Sequence, residues 1–362
     1  MAEYISFQPL DYYNCVTYTG NGGTQAITGV GFAPDYTCIK KRDGGNQYVN
    51  WDTIHGAGDN TELSWSATNP IGGPDSYNYG QLSVFGSDGF TVAPGGGGGV
   101  QFVNTSAEGY ASWNWKLGTT TGIDTTGATI TPTSYSLNST AKQSLIVYEG
   151  NGSNSTIPHG LGKAPSLIWL KRTSGSAVSW QMGNSAVGWD YYATPDNDAT
   201  FVDNNGAWND TAPTSVLFTV GTNGECNTSG EDYVALCFAE SPGYMKVGKY
   251  TGNGNADGPF VWTGLRPGFL IVKRLAGAYP WPFFDYKRDG FNADGSATTG
   301  NNAFDISDDA AETSDSKVDL LSNGFKVRNS GGHVNSSGVE YVYWAMAEFP
   351  AVSSNDIPGV AR

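Results

Sequence analysis

Tyr18-Thr-Gly-Asn-Gly22 is one of three nearly identical motifs in this chain, and the set decides the fold. The other two are Tyr148-Glu-Gly-Asn-Gly152 and Tyr250-Thr-Gly-Asn-Gly254. Each follows a short strand-like run, and its two glycines can take the positive φ angles that a tight reversal after a strand requires. A motif that recurs at intervals of about one small domain indicates an internal repeat. We therefore expect three copies of one β unit.

Other landmarks follow each motif at nearly constant spacing. A proline comes 16 or 17 positions after the tyrosine, and a lysine comes six positions after the proline. Each copy closes with a strand that begins on a tyrosine, at residues 110–115, 233–238 and 341–346. The proline suits the start of a strand, where its missing N–H is tolerated. The residues that define the repeat are Tyr18, Gly20, Gly22, Pro34 and Lys40; Tyr148, Gly150, Gly152, Pro165 and Lys171; and Tyr250, Gly252, Gly254, Pro267 and Lys273.

The apolar pattern inside the repeats is that of strands. No segment keeps an apolar stripe of helical period over three turns. The closing strand at residues 341–346 is largely apolar on both faces, which indicates a strand buried on both sides. The sequence therefore predicts an all-β fold of three tandem antiparallel β-sandwich domains, jelly-roll or lectin-like, each of roughly 90 to 105 residues.

The repeats divide the chain into five predicted parts. The segment 119–143, rich in Thr and Ser, is predicted to be a linker, although residues 128–130 and 135–137 have a weak strand pattern. The five parts are an N-terminal arm with repeat 1 (1–118), the linker (119–143), repeat 2 (144–242), repeat 3 (243–350) and a C-terminal tail (351–362).

Composition excludes several classes of function. The net charge of −15 repels phosphate backbones and anionic membrane surfaces, so we expect no nucleic-acid partner and no membrane role. No apolar run approaches the ~18 residues of a membrane span. The first residues lack the basic region and apolar core of a secretion signal, so we expect assembly in a cytoplasm. Charged residues make up only 15% of the chain, so uncharged polar residues must cover the surface, as in proteins that pack on copies of themselves or contact sugars.

We find no catalytic, cofactor-binding or metal-binding motif and expect a non-enzymatic protein. His159 lies in a turn, where hydrogen bonding is favoured over catalysis. The four cysteines have no CxxC spacing, which predicts free thiols rather than disulfides. Carboxylates crowd one loop of repeat 2 and one of repeat 3, where solvated acidic loops are favoured and calcium sites are the alternative. These carboxylates are Asp190, Asp196, Asp198 and Asp203, and Asp305, Asp308, Asp309, Glu312 and Asp315.

Three tryptophans are the candidates for ligand binding. Trp51, Trp180 and Trp281 each follow the lysine of their repeat closely, and aromatic side chains with an apolar body are common at binding surfaces. Their recurrence in all three copies favours packing in the core or between sheets, with sugar binding as the alternative.

A further set of motifs spans the copies: Tyr4-Ile-Ser-Phe-Gln-Pro9, Ile27-Thr-Gly-Val-Gly-Phe32-Ala-Pro-Asp35, Trp113-Asn-Trp-Lys116 and Ile157-Pro-His-Gly-Leu-Gly162. In combination they resemble a repeat family of tailed bacteriophages, especially phages of marine cyanobacteria and other marine bacteria, and the last is similar to a module of phage tail-fibre proteins. Related modules often carry Asp-x-x-Arg-Gly. Repeat 1 has His55 in place of the arginine, repeat 3 has Asp285 and Arg288, and repeat 2 lacks the motif.

The resemblance implies a structural virion component at a tail fibre, a tail tip or another exterior position, assembled in the host cytoplasm and contributing to host attachment. A capsid-surface decoration protein and a carbohydrate-binding module array of a bacterial surface protein are the alternatives. The implied partners are other virion proteins, further copies in a homo-oligomer and a host surface glycan. The loops at 190–208 and 289–315 differ between copies, so they either contact the host or fill gaps between neighbouring subunits.

Overall fold

The computed structural model of the protein describes residues 5–288, 302–313 and 317–351. Antiparallel strands dominate these ranges, and their α-helices are only four residues long. The prediction of an all-β fold is confirmed. No helix in these ranges is both long enough and apolar enough to cross a membrane.

Repeat 1 consists of a large sheet and a small sheet. Its strands are β1 (Tyr13–Thr19), β2 (Gln25–Thr28), β3 (Tyr36–Lys41), β4 (Val49–Asp52), β5 (Leu63–Ser64), β6 (Gln81–Gly86), β7 (Gly89–Ala93) and β8 (Gly109–Trp115), with a 3-10 turn at Pro9–Asp11 and the helix α1 (Ser76–Tyr79). The large sheet has the order β1-β8-β3-β4-β5, and the small sheet has the order β2-β7-β6. Apolar residues from both sheets form one core, so the small sheet covers one face of the large sheet.

Repeat 2 has the same plan with added strands. Its elements are β9 (Ser134–Asn138), β10 (Gln143–Glu149), β11 (Ser155–Pro158), β12 (Leu167–Arg172), β13 (Gln181–Asn184), β14 (Gly188–Ala193), β15 (Val202–Asp203), α2 (Asn205–Trp208), β16 (Leu217–Val220), α3 (Gly224–Asn227) and β17 (Asp232–Phe238). The large sheet runs β15-β14-β13-β12-β17-β10-β9, and β11 pairs with β16 in the small sheet.

Repeat 3 returns to the simpler arrangement. Its strands are β18 (Met245–Thr251), β19 (Phe260–Trp262), β20 (Leu265–Arg274), β21 (Pro282–Asp285), β22 (Phe304–Asp305), β23 (Val318–Leu321), β24 (Gly324–Val327) and β25 (Glu340–Pro350). The large sheet runs β18-β25-β20-β21-β22, and the small sheet runs β19-β24-β23. In all three repeats, therefore, the closing strand lies between the first strand and the strand that ends near the repeat's lysine.

The predicted linker is partly structured. Residues 134–138 form β9, which pairs with β10 from Gln143↔Asn138 to Val147↔Ser134. The linker prediction is wrong for these residues, because they extend the large sheet of repeat 2. Residues 128–130, the other weak strand pattern, form no strand in the structure.

The uncovered faces of the three large sheets pack onto one shared aromatic core. The ring of Trp169 in repeat 2 lies 5.2 Å from Trp65 of repeat 1 and 5.7 Å from Trp344 of repeat 3. Trp113 of repeat 1 contacts Phe283 of repeat 3 at 4.6 Å. Residues of all three closing strands are buried on both faces, as the sequence of residues 341–346 indicates for the third. The repeats thus surround a common core and do not follow one another as separate sandwiches in a row.

Candidate functional site

The repeat-defining tyrosines join the first strand of each repeat to its closing strand, which is its neighbour in the large sheet. Tyr148 pairs in register with Tyr233, their rings stack 5.2 Å apart, and the Tyr148 hydroxyl donates to the carbonyl of Cys226 at 2.6 Å. The same stacked pair occurs in the other repeats. These pairs are Tyr18 with Tyr110 and Tyr250 with Tyr341, also at 5.2 Å. Burial raises the pKa of Tyr18, Tyr148 and Tyr250, so these hydroxyls serve as structural hydrogen-bond donors.

The glycines of the motif are required by close backbone approach. A Cβ at Gly150 would lie 2.4 Å from the carbonyl oxygen of Thr228, and Gly20 and Gly252 meet equivalent carbonyls at 2.2 and 2.4 Å. Gly22, Gly152 and Gly254 have φ angles of 78°, 74° and 69°, which favour glycine. Both glycines of the motif therefore have structural roles.

The prolines have two different positions. Pro34 and Pro165 lie two residues before the first residue of β3 and β12, as expected from a proline near the start of a strand. Pro267 lies inside β20, where the register against β25 shifts on both sides of it. Such an irregularity accommodates a residue without an N–H in the strand.

A buried lysine joins each repeat to a neighbouring repeat. Lys171 of repeat 2 donates to the carbonyl of Thr68 in repeat 1 at 2.9 Å and to that of Val178 in its own repeat at 2.7 Å. The other two lysines have equivalent bonds. Lys273 donates to the backbone carbonyl of Asp198 in repeat 2 at 3.0 Å and to that of Tyr279 in its own repeat at 2.5 Å. Lys40 donates to the backbone carbonyl of Asp309 in repeat 3 at 2.8 Å and to that of Asn46 in its own repeat.

These bonds close a ring. Repeat 2 bonds to repeat 1, repeat 3 bonds to repeat 2, and repeat 1 bonds to repeat 3. The carbonyl that receives each lysine also accepts a backbone N–H from the lysine's own repeat, at 2.9 to 3.0 Å. Burial lowers the pKa of Lys40, Lys171 and Lys273 to about 8. Their hydrogen bonds connect the repeats.

Described residues of the two loops expected to contact the host make contacts between repeats of the chain. In the first, Thr200 donates through its hydroxyl to the carbonyl of Leu275 in repeat 3 at 2.7 Å. In the second, Glu312 forms an ion pair with Arg42 of repeat 1 at 2.7 Å. At these residues, therefore, both loops contact a neighbouring repeat of the same chain. Residues 289–301 and 314–315 lie outside the described residues.

Two of the three candidate tryptophans also bridge repeats. Trp180 donates from its indole nitrogen to the carbonyl of Ser64 in repeat 1 at 2.7 Å, and Trp281 donates to that of Asn197 in repeat 2 at 3.0 Å. Each side chain is 1% exposed. They are therefore core residues and cannot stack on an external sugar.

Trp51 is not their equivalent, which corrects the sequence interpretation. Trp180 and Trp281 immediately precede β13 and β21, and the residue that precedes β4 is Tyr48. Tyr48 is buried and contacts Phe304 of repeat 3 at 5.7 Å, in the shared core. Trp51 lies three positions later, in the core between the two sheets of repeat 1, which is separate from the shared core.

The other reactive side chains are occupied or buried. His159 donates from Nε2 to the carbonyl of Thr214 at 3.1 Å and accepts at Nδ1 from the N–H of Leu161 at 3.2 Å, which confirms its role in a turn. Burial lowers its pKa to about 4. All four cysteines are free and buried, as predicted, and burial raises their pKa values. Among the described residues, no three His, Cys, Asp or Glu side chains converge as metal ligands.

The Asp-x-x-Arg variants in repeats 1 and 3 have structural roles. Asp285 accepts from the backbone N–H of Arg288 at 3.0 Å and pairs with its guanidinium at 2.5 Å. Asp52 accepts from the N–H of His55 at 2.9 Å and contacts the ring nitrogen at 2.7 Å. Both aspartates therefore cap the turn that follows the strand.

An exposed aromatic pair on β19 is the candidate functional site. Trp262 is 62% exposed, more than any other large apolar side chain in the described residues, and Phe260 is 47% exposed. Val261, between them, is buried in the core. Because side chains alternate along a strand, the two rings project from the same outer face of the small sheet of repeat 3.

The main chain of the same two residues faces the free edge of that sheet. β19 is an edge strand that pairs with β24 through Phe260↔Lys326 and Trp262↔Gly324. The bonds that flank this pairing are Thr263 N–H to Asn323 and Val327 N–H to Pro259, each at 3.0 Å. Hydrogen-bonded and non-hydrogen-bonded positions alternate in an antiparallel pair, so the N–H and C=O groups of Phe260 and Trp262 point away from β24. No strand follows β19 on that side in the described part of the chain.

Local packing holds the aromatic pair in place. A Cβ at Gly264 would lie 3.0 Å from the ring of Trp262, so the indole rests directly on the backbone of the next turn. Lys326 pairs with Asp257 at 2.7 Å, and Arg328 pairs with Asp319 at 2.5 Å. The charges beside the rings are thus neutralised within the sheet, and the surface that they border is apolar.

In repeat 2, part of the chain itself covers the equivalent edge. Thr156 occupies the position of Phe260, and its carbonyl accepts from the N–H groups of Thr129 and Ile130 at 3.0 and 3.1 Å. Its own N–H donates to the hydroxyl of Thr129 at 2.7 Å. Residues 127–130, which form a turn and bend and no strand, therefore cover this strand in repeat 2, at the groups that remain free in repeat 3.

The chain belongs to the family described as a domain of unknown function (DUF7483), whose model matches residues 8–350. The match covers all three repeats as one unit, in agreement with their shared core and closed ring. No curated protein and no solved structure matches the chain.

Sequence reasoning missed Phe260 and Trp262, although a signal for them exists. Aligned on the buried residues Ile27, Ile157 and Val261, the positions of Phe260 and Trp262 hold Ala26 and Thr28 in repeat 1 and Thr156 and Pro158 in repeat 2. The two aromatic side chains therefore distinguish this surface of repeat 3 from the equivalent surfaces of repeats 1 and 2.

Proposed function

We propose that this chain is a non-enzymatic structural protein on the exterior of a bacteriophage particle, at a tail fibre, a tail tip or the capsid surface. It contributes to attachment through the small sheet of repeat 3. The observation that carries the proposal is the exposed pair Phe260 and Trp262 on a free sheet edge, in a molecule whose three repeats otherwise bury their aromatic faces against one another.

The roles of the reactive side chains support a structural function. The lysines, tyrosines and tryptophans that recur in the repeats bond to backbone carbonyls inside the molecule. Both ring nitrogens of His159 are bonded within a turn. A general base needs a free nitrogen within reach of a substrate proton, and His159 has none.

The closed ring of three repeats supports a structural role at an exterior position. A homotrimer of single repeats would bury three aromatic faces at its axis, and this chain buries the corresponding faces within itself. Further association into a homo-oligomer would therefore use the outer surfaces. Exposed apolar residues at such surfaces are typical of sites that contact another molecule.

Particle composition tests the proposal. We expect mass spectrometry of purified virions to detect this chain in a constant ratio to the major capsid protein, with an abundant host cytoplasmic protein as the control for contamination. Finding the chain only in the lysate of infected cells would refute the virion location.

Measurements of host adsorption and of incorporation into particles distinguish a contact with the host from a contact with another particle protein. The double variant Phe260→Thr/Trp262→Thr should reduce either host adsorption or incorporation into particles at least tenfold. Val84→Thr, at a residue of repeat 1 that is 52% exposed, is the matched control and should leave both unchanged. If the double variant also changes neither, the small sheet of repeat 3 is not the contact surface.

A further inference from the structure

The edge of β19 is protected only by the shortness of the strand, which spans three residues after Pro259. Free edges are usually protected by charged residues, proline, bulges or a covering segment. The equivalent strand of repeat 2 has Pro158 and is covered by residues 127–130. β19 instead carries Phe260 and Trp262, whose backbone groups and rings are both accessible.

We propose that β19 binds an extended, uncharged peptide segment of a neighbouring polypeptide, which adds as a strand to the small sheet of repeat 3. Its main chain bonds to the N–H and C=O groups of Phe260 and Trp262, and its apolar side chains pack on the two rings. The source of this neighbour among the particle proteins rests on the proposed function. The strand-binding edge itself does not.

The chemistry of the edge favours a peptide over a glycan. Strand addition satisfies backbone donors and acceptors in alternation, and the free groups of β19 have that spacing. In repeat 2 the corresponding carbonyl, that of Thr156, accepts from the N–H groups of Thr129 and Ile130, and the N–H of Thr156 donates to the hydroxyl of Thr129, so a segment of polypeptide covers the same edge there. A sugar stacked on Phe260 or Trp262 would cover the rings but leave the backbone edge open.

The bordering charges indicate the character of the segment. Lys326 and Asp257 pair with each other, as do Arg328 and Asp319, so these charges are compensated within the repeat. A charged side chain placed over the rings would lose solvation without compensation. The bound segment should therefore be uncharged where it crosses Phe260 and Trp262.

Residue-resolved hydrogen exchange on the full chain tests the proposal directly. The probe is a synthetic peptide with the sequence of residues 125–132, Thr-Thr-Gly-Ala-Thr-Ile-Thr-Pro, which contains the segment that docks on repeat 2. At millimolar peptide, we expect the amide exchange of Phe260 and Trp262 to slow at least tenfold. The amide of Val261, which faces β24, should not change, and a peptide with prolines in place of the donors Thr129 and Ile130 should give no protection.

Variants in the chain provide the second measurement. Phe260→Thr/Trp262→Thr should raise the peptide concentration needed for half-maximal protection at least tenfold, because it removes the rings and keeps the backbone. Both residues are exposed, so the variant should fold normally. Val84→Thr should leave the concentration unchanged.

Four results would overturn the proposal. The first is unchanged exchange of both amides at saturating peptide. The second is quenching of Trp262 fluorescence by a β-glucan hexasaccharide without amide protection, which would assign a glycan platform. The third is protection without peptide that disappears when residues 352–362 are removed, which would assign the edge to the chain's own tail. The fourth is protection that depends on protein concentration and accompanies a dimer, which would assign it to a second copy.

Discussion

Trp169→Ala is expected to destabilise all three repeats together, because Trp169 contacts each of them. Its ring is 2% exposed and lies 6.3 Å from Trp180 in its own repeat, in addition to Trp65 and Trp344 in the other two. Truncation of a buried tryptophan to alanine costs roughly 3–5 kcal/mol through lost burial and the cavity that remains. Scanning calorimetry measures whether that loss falls on one unit or on three.

The expected shift in melting temperature depends on the size of the cooperative unit. Unfolding entropy is about 2 cal/mol/K per residue, or roughly 0.7 kcal/mol/K for this chain, so a loss of 3–5 kcal/mol lowers a single transition by roughly 4–7 °C. If repeat 2 unfolded alone, the melting temperature of its transition would fall by roughly 15–25 °C and the melting temperatures of the other repeats would not change. We expect one endotherm that shifts as a whole.

The control uses the same residue type at the surface. Trp262→Ala removes a side chain that is 62% exposed, so the transition should move by less than the equivalent of about 0.5 kcal/mol. Splitting of the Trp169→Ala endotherm, with part of it unshifted, would refute the shared core as a unit of stability.

Three further outcomes test the contacts within the repeat. Burial lowers the pKa of Lys171 to about 8, so between about pH 8 and 10.5 this group binds more protons in the unfolded chain than in the folded chain, and its contribution to stability rises with pH. The buried cysteines, whose pKa values burial raises, contribute in the opposite direction, so the test is a difference: the urea midpoint of the unsubstituted chain minus that of Lys171→Met should increase over this window, and a constant difference would contradict the assignment. Tyr148→Phe removes the buried bond to the carbonyl of Cys226 and should cost roughly 1–2 kcal/mol in urea unfolding, whereas no loss would mean that this bond adds nothing. Gly150→Ala places a Cβ against the carbonyl of Thr228 and should cost roughly 1–3 kcal/mol, whereas a neutral result would show that the backbone yields there.

The repeat and the fold class could be read from the sequence because they depend on local rules. Tyr18 and its two counterparts mark strands, and the glycines after them mark reversals that few other residues can form. The closed ring could not be predicted, because Lys40, Lys171 and Lys273 bond to backbone carbonyls, which carry no sequence signal. The equivalence of Trp51 to the other tryptophans was wrong because distance from the lysine does not fix strand register; only the pairing of β3 with β4 shows that Tyr48 holds the position.

The lengths of the connections between repeats explain why the candidate site lies in repeat 3. Residues 116–142 connect repeats 1 and 2, and this segment is long enough to cover β11 and to add β9 to the large sheet. Residues 239–244 connect repeats 2 and 3 and go directly into β18, so they provide no segment that could cover β19. Because residues 239–244 leave β19 uncovered, its exposed aromatic edge could pair with a second copy unless another molecule occupied it. Because the aromatic substitutions fall on this uncovered strand, while the open edge of β2 keeps the small polar pattern of Ala26 and Thr28, we expect β19 to be covered by a partner in the assembled particle.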